Sequence, residues 1–332
     1  MFGWFAKKAP EMFPDINRVP VDSAIPPVIQ EYESRRSAEK LGLCLEGGGA
    51  KGGWQAGIVA RIAEIGLLDK VDVIVGTSVG GMNAAVISRY MGESPNMQAV
   101  VDIWRGITSN AAIYKGEMPS SFYTGLKTLI GGGLGAASLL DNSPQYDLVN
   151  KHLGGDVPSA RPVHVITTDY ITRTLRVLGP DASPVDQALA TSAVPVAFPP
   201  YKGKYMDGGA VENCGVDLLL DLGCTKILVL YLSPDPSVMP VTAPLPNSIN
   251  TGVAAIGAMF QVQSDKTFEK LEQIQVLRKI QGKDPIEVLH EYPEADLGDL
   301  LQFGAHPENL QNGYNCGVKY LTVDKVREFL KA

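Results

Sequence analysis

The sequence predicts an α/β domain with a mostly parallel sheet, and three observations point there. Leu41 to Leu45 is an apolar run of strand length that stops at a glycine cluster and opens onto a helix. Val71 to Val75 is a second such run, ending at Gly76-Thr77-Ser78-Val79-Gly80 and opening onto another helix. Further on, the helix-like Cys214 to Leu222 leads into another buried-type apolar strand, Lys226 to Leu232, the mixture of an α/β domain.

Residues 1–40 read as an extended arm. Pro10, Pro14, Pro20, Pro26 and Pro27 oppose a helix, and the charges among its first residues do not fit a secretory signal. From Ala50 to Ile65, Trp54, Ile58, Ile62 and Ile65 recur at helical spacing, and Val79 to Tyr90 forms the helix after the second strand. Met97 to Ile107 reads as a helix. In Ser121 to Leu134, Phe122, Leu126, Leu129 and Ile130 share one helical face before Gly131 to Gly133, either a core helix or a lid over the site. Arg161 to Tyr170 and Thr174 to Leu178 form a strand pair. Pro184 to Ala193 is a helix that runs into a rigid loop, Val194 to Pro200. Cys214 to Leu222 is helical and Lys226 to Leu232 a buried strand. Ile249 to Gln281 forms one or two helices whose solvated face carries Lys266, Glu269, Lys270 and Glu272. Pro285 to Tyr292 is a further strand, and Asn309 to Leu321 and Val323 to Leu330 close the chain as helices. We expect the arm at 1–40 and a single domain over 41–332, with core blocks at 41–232, a lid or variable insert at 92–150 and a closing segment of helices and strands at 233–332.

Composition narrows the function. With 332 residues, 45% of them hydrophobic, the chain buries a large core. A net charge of −7 gives no general attraction to nucleic acid or to anionic lipid, so contact with a membrane is expected to be apolar or local. Cys44, Cys214, Cys224 and Cys316 lack C-x-x-C spacing and read as reduced, buried thiols. With no run of about 18 uncharged apolar residues, no spanning helix is expected; the expected location is cytoplasmic, in peripheral contact with membranes.

The two glycine-rich turns fit one chemical task. Gly76-Thr77-Ser78-Val79-Gly80 is G-x-S-x-G between a strand and a helix, a sharp turn that lifts the Ser78 hydroxyl above the sheet beside the positive end of a helix. Read alone, Ser78 is equally an ordinary helix-start serine. In the first turn, Gly47, Gly48, Gly49 and Gly52 let backbone N–H groups converge into a nest for an oxyanion. Gly47, Gly49 and Gly52 also match the dinucleotide fingerprint, which requires an acidic residue at the far end of the second strand; Asp72 stands at its beginning.

Asp207 precedes Gly208 and Gly209 and follows a short strand-like run. It reads as a turn residue or as a carboxylate placed to accept the serine proton. A serine triad instead needs a histidine after the acid, His290 or His306; His164 lies in an apolar strand and His152 in a polar stretch.

Four blocks, in this order, resemble the patatin-like phospholipase family: Glu46 to Gly57 (EGGGAKGGWQAG), the turn GTSVGGMNA, Ala190 to Pro200 (ATSAVPVAFPP) and Met206 to Asn213 (MDGGAVEN). The resemblance implies a three-layer α/β/α fold related to the cytosolic phospholipase A2 catalytic domain, and a lipid acyl hydrolase that works through an acyl-serine and a Ser-Asp dyad. It implies Ser78 as nucleophile, Asp207 as base, and Gly48 and Gly49, supported by Gly47, as oxyanion hole. Gly52, Gly76, Gly80, Gly208 and Gly209 shape the motifs. Lys51 takes the position of the family's Arg or Lys, where it either orients a phosphate or is a solvated helix-start lysine. Glu46 stands where many members have Ser or Asp. The implied partner is a lipid or acyl-ester substrate at a membrane or micelle surface, with no metal, organic cofactor or nucleic acid. A lipid-binding or regulatory protein of the same fold, its hydrolysis vestigial or dependent on a protein activator, is the alternative.

Overall fold

The computed structural model describes residues 39–91, 97–116, 138–155, 159–234 and 248–331. The expected helix at Ser121–Leu134 and nearly all of the expected arm lie outside them. Strands are β1 (Leu41–Leu45), β2 (Val73–Thr77), β3 (Val163–Asp169), β4 (Thr174–Leu178), β5 (Tyr205–Asp207), β6 (Lys226–Leu230) and β7 (Glu287–Glu291). Helices are α1 (Gly52–Glu64), α2 (Val79–Tyr90), α3 (Gln98–Gly106), α4 (Ser143–Leu153), α5 (Pro184–Thr191), α6 (Val216–Asp221), α7 (Ser248–Ile280), α8 (Asn309–Tyr320) and α9 (Val323–Lys331).

The sheet runs β4-β3-β2-β1-β6-β7, with β5 also pairing β3. From β3 through β7 the neighbours are parallel, whereas β4 and β5 run antiparallel to β3. Successive residues of the central strands alternate between two cores, because side chains point to opposite faces of a strand. Leu43, Ile74 and Leu228 share a register and enter the core that holds α1, α2 and α8. Cys44, Val75 and Val229 are likewise in register and enter the opposite core, with Val216 and Leu219 of α6 and Leu271 of α7. With both faces covered, these strands read as unbroken apolar runs. This is the expected three-layer α/β/α arrangement.

Two elements differ from the sequence reading. β2 is shifted to Val73–Thr77: Asp72 accepts a hydrogen bond from the Leu41 amide at 2.8 Å before the strand begins, and Gly76 and Thr77 still pair with Val165 and Ile166. The helix α4 was not expected, because only Gln145, Val149 and Leu153 of its eleven residues are buried and the rest read as a polar stretch. The stretch at 249–281 is one helix, α7. All four cysteines are buried free thiols. Among the described residues no helix is long and apolar enough to cross a membrane.

Candidate active site

The register along β3 brings Ser78 and Asp207 together. β2 accompanies β3 as far as Thr77, opposite Ile166, and then turns away at Ser78; β5 takes up the next position, with Asp207 opposite Thr167. The chain leaves the sheet at the serine where another segment delivers the aspartate. Ser78 sits in the turn at φ 54°, ψ −127°, a strained conformation for a residue with a side chain. The turn is tight enough that a Cβ on Gly80 would lie 2.2 Å from the Leu45 carbonyl oxygen, and one on Gly76 2.4 Å from that of Gly80.

The Ser78 hydroxyl donates to Asp207 Oδ2 at 2.5 Å, and the second carboxylate oxygen accepts from the Gly209 amide at 2.8 Å. A Cβ on Gly208 would meet the Ile166 carbonyl oxygen at 2.2 Å, so this glycine lets the aspartate segment lie against β3. Asp207 is fully buried, and burial pushes its carboxyl up to about 7 against the opposing pull of the bonds from Ser78 and Gly209.

Thr191, at the end of α5, accepts the Ser78 amide at 2.8 Å and donates to the Ile166 carbonyl at 2.6 Å, locking the turn to β3. Sequence reasoning singled out its block but not this residue, since a buried threonine at a helix end carries no pattern of its own.

The glycine loop follows β1. The Gly47 amide is committed to the Asn213 carbonyl at 3.3 Å, while the amides of Gly48 and Gly49 have no acceptor among the described residues. Gly49 adopts φ 56° and lines the same cavity as Ser78. Glu46 is fully buried, and its carboxylate accepts from the Ser233 amide at 2.9 Å, from the Leu232 amide, and from Asn213 Nδ2 at 3.3 Å. This carboxylate ties the root of the loop to the chain beyond β6. Lys51 is half-buried just before α1, and Gly52 begins that helix.

From Ser78 and Gly49 a cavity follows α2 past Val79, Met82 and Val86. Its walls come from Ile103 and Trp104 of α3, Val149 and Leu153 of α4, and Phe198. Leu301 and Phe303 also line it, so the closing segment at 233–332 reaches the site. His152 lines the cavity too, although nothing in its sequence context marked it.

The histidines of the alternative triad lie elsewhere. His290 is on β7, three strands from β2, about 14 Å at 4.8 Å per strand. His306 is exposed and contacts Glu308 at 3.1 Å. Among the described residues no group of three or more His, Cys, Asp or Glu could hold a metal ion.

The family described as Patatin-like phospholipase matches residues 43–220, more than half of the chain, and the chain belongs to that family. No curated protein sequence matches it. Among solved structures it is similar to VipD from Legionella pneumophila, at 13% identity and a TM-score of 0.40, over 88% of this chain and 71% of that one. It is similar to human GIVD cytosolic phospholipase A2, at 11% identity and a TM-score of 0.49, over 92% of this chain and 61% of that one. A structure of SpcU with ExoU from Pseudomonas aeruginosa matches 49% of this chain and 40% of that one, at 15% identity and a TM-score of 0.27.

Proposed function

We propose that this member of the patatin-like phospholipase family is a lipid acyl hydrolase that cleaves carboxylic esters through an acyl-serine, with Ser78 as nucleophile and Asp207 as base. Family membership supports lipid hydrolysis in general. The observation that carries the finer reading is the hydrogen bond from Ser78 to the buried Asp207 carboxylate at the head of an apolar cavity. At 2.5 Å it has the length of a hydroxyl bonded to an ionised acceptor.

Burial supplies what an aspartate ordinarily lacks as a base. A free carboxylate is too weak to take a serine proton efficiently near neutrality, but one pushed up to about 7 reaches the range in which imidazole works. Asp207 then accepts the hydroxyl proton directly as Ser78 Oγ attacks the ester carbonyl. The unpaired amides of Gly48 and Gly49 receive the oxyanion, each such donor contributing about 3 to 4 kcal/mol to the transition state. Protonated Asp207 gives its proton to the departing alkoxide. The restored carboxylate draws a proton from water as its oxygen attacks the acyl-serine; the bond to Ser78 Oγ then breaks, Asp207 returns the proton to that oxygen, and the fatty acid leaves.

The substrate in this reading is an acyl ester presented at a membrane or micelle surface, its chain entering the cavity along α2. A fluorophosphonate probe should label wild-type protein and fail to label Ser78→Ala. Ser78→Ala and Asp207→Asn should each lower hydrolysis of a p-nitrophenyl ester by several orders of magnitude, because nucleophile and base act as a unit. Absence of labelling in folded wild-type protein would instead favour a lipid-binding or activator-dependent role.

A further inference from the structure

The polar side chains lining the cavity are turned on one another. Asn83 donates to the Gly52 carbonyl and to Gln55 Oε1 and accepts from Trp104 Nε1, while Gln145 donates to Ser192 Oγ at 2.9 Å. None of the buried unpaired polar atoms among the described residues lines the cavity. Beyond Ser78, Gly49 and the His152 imidazole the space offers an occupant mainly apolar contact, which suits one hydrocarbon chain.

The length available to that chain is set along α2. Val79, Met82, Asn83 and Val86 line it in turn, and the helix climbs about 12 Å from Ser78 to Val86 at 1.5 Å per residue. Val86 packs against the buried cluster that contains Leu153 and Ala188, and these residues line the cavity together with His152. One turn further along α2, Tyr90 fixes His152: its hydroxyl lies 3.2 Å from Nδ1 and the two rings meet edge to face. The Arg89 guanidinium over the Tyr90 ring holds that side chain in turn.

We propose that His152, held by Tyr90, closes the cavity with Val86 and Leu153, and so limits the acyl group to about ten carbons, at roughly 1.25 Å of extended chain each over the 12 Å of helix. The limit rests on the reading of Ser78 as the acyl acceptor at the cavity's head. Burial holds the His152 imidazole below its usual range, which keeps it neutral against a hydrocarbon end.

The test is a chain-length series. For wild-type protein, kcat/KM on p-nitrophenyl esters should rise about fourfold per methylene, the equivalent of ~0.8 kcal/mol, and flatten near ten carbons. His152→Ala should move the break to longer chains and raise the ratio of dodecanoyl to octanoyl turnover roughly tenfold or more, a few methylenes' worth. Tyr90→Phe should shift it less in the same direction, and Val86→Phe should shift it to shorter chains. A wild-type profile with no break, or a break that folded His152→Ala and Val86→Phe proteins leave in place, overturns the proposal. Binding separates this from the hydrolase reading. In Ser78→Ala protein, displacement of anilinonaphthalene sulfonate by fatty acids from hexanoate to palmitate should plateau at the same length. A plateau in binding without any ester turnover would remove the hydrolase reading and keep the floor; affinity that keeps climbing to palmitate would remove the floor.

Discussion

Asp207 is held where its ionisation costs the fold and, in the proposed mechanism, serves the chemistry. Its carboxyl sits at about 7 in the folded protein against 3.8 in a free chain, burial being the larger cause and the bonds from Ser78 and Gly209 the smaller opposing ones. A folded-state value above the unfolded one means that the native protein holds the extra proton. The favourable contribution is full below about 3.8 and is lost as pH rises through about 7. The same titration creates the proposed base, so kcat/KM should rise with pH to a plateau above about 7. Asp207→Asn keeps the shape and removes the titration. In thermal unfolding from pH 4 to pH 8, its stability relative to wild type should therefore improve steadily, by a few kcal/mol, while turnover stays lost. A stability difference that is flat across that range would show that Asp207 titrates normally and would take away the physical basis of a dyad without histidine.

At the scale of elements, the two glycine turns were legible because their residues have few other uses: four glycines within six positions, and a serine framed by two more. Partners remote in sequence were not legible. Thr191 reaches Ser78 across 113 positions, and the Leu300 carbonyl holds the Ala50 amide at 2.8 Å from the opposite end of the chain. The strand at 73–77 was misplaced by two residues because hydrophobicity locates an apolar run and not the residue at which pairing begins. Helix α4 was missed because a helix burying one residue per turn leaves too thin a stripe to read. The glycine loop also separates two substitutions that sequence cannot rank. Gly48 has an extended φ of 178°, open to any residue, and its added Cβ would press on the Leu232 side chain. Gly49 has φ 56°, and its Cβ would lie 2.1 Å from the Leu300 carbonyl oxygen, a backbone atom that cannot swing aside. Gly49→Ala should thus displace the loop and cost about two to three orders of magnitude in kcat with little change in KM, the loss expected for one oxyanion donor. Gly48→Ala should be milder. The reverse ranking in steady-state kinetics would place the oxyanion elsewhere, most directly on the amide of Val79.

Over the whole molecule, the blocks that carry the proposed catalytic residues depend on a part of the chain that carries none of them. The family match ends at residue 220, yet β6 and β7 complete the sheet beside β1, and α8 covers α1. The α1–α8 contact is made backbone to backbone. A Cβ on Gly57 would lie 2.1 Å from the Leu310 carbonyl oxygen, and one on Gly313 2.0 Å from that of Trp54. This approach keeps Tyr314 fully buried with Ile58 and Ile62. Helix α1 begins directly after the glycine loop, and the Leu300 carbonyl pins that loop from the same C-terminal segment, so the docking of α8 bears on the proposed oxyanion site. Gly313→Ala should push the two helices apart, costing about 1 to 3 kcal/mol and lowering Tm by several degrees. The rate of fluorophosphonate labelling should fall with it, even well below Tm, because the loop moves with the N-terminus of α1. Gly106→Ala, where an added Cβ meets nothing within 4 Å, is the matching control and should leave both measurements near wild type. A Gly313→Ala protein with lowered Tm and undiminished labelling would confine α8 to scaffolding; one with unchanged Tm would mean that the helices do not meet this closely in solution.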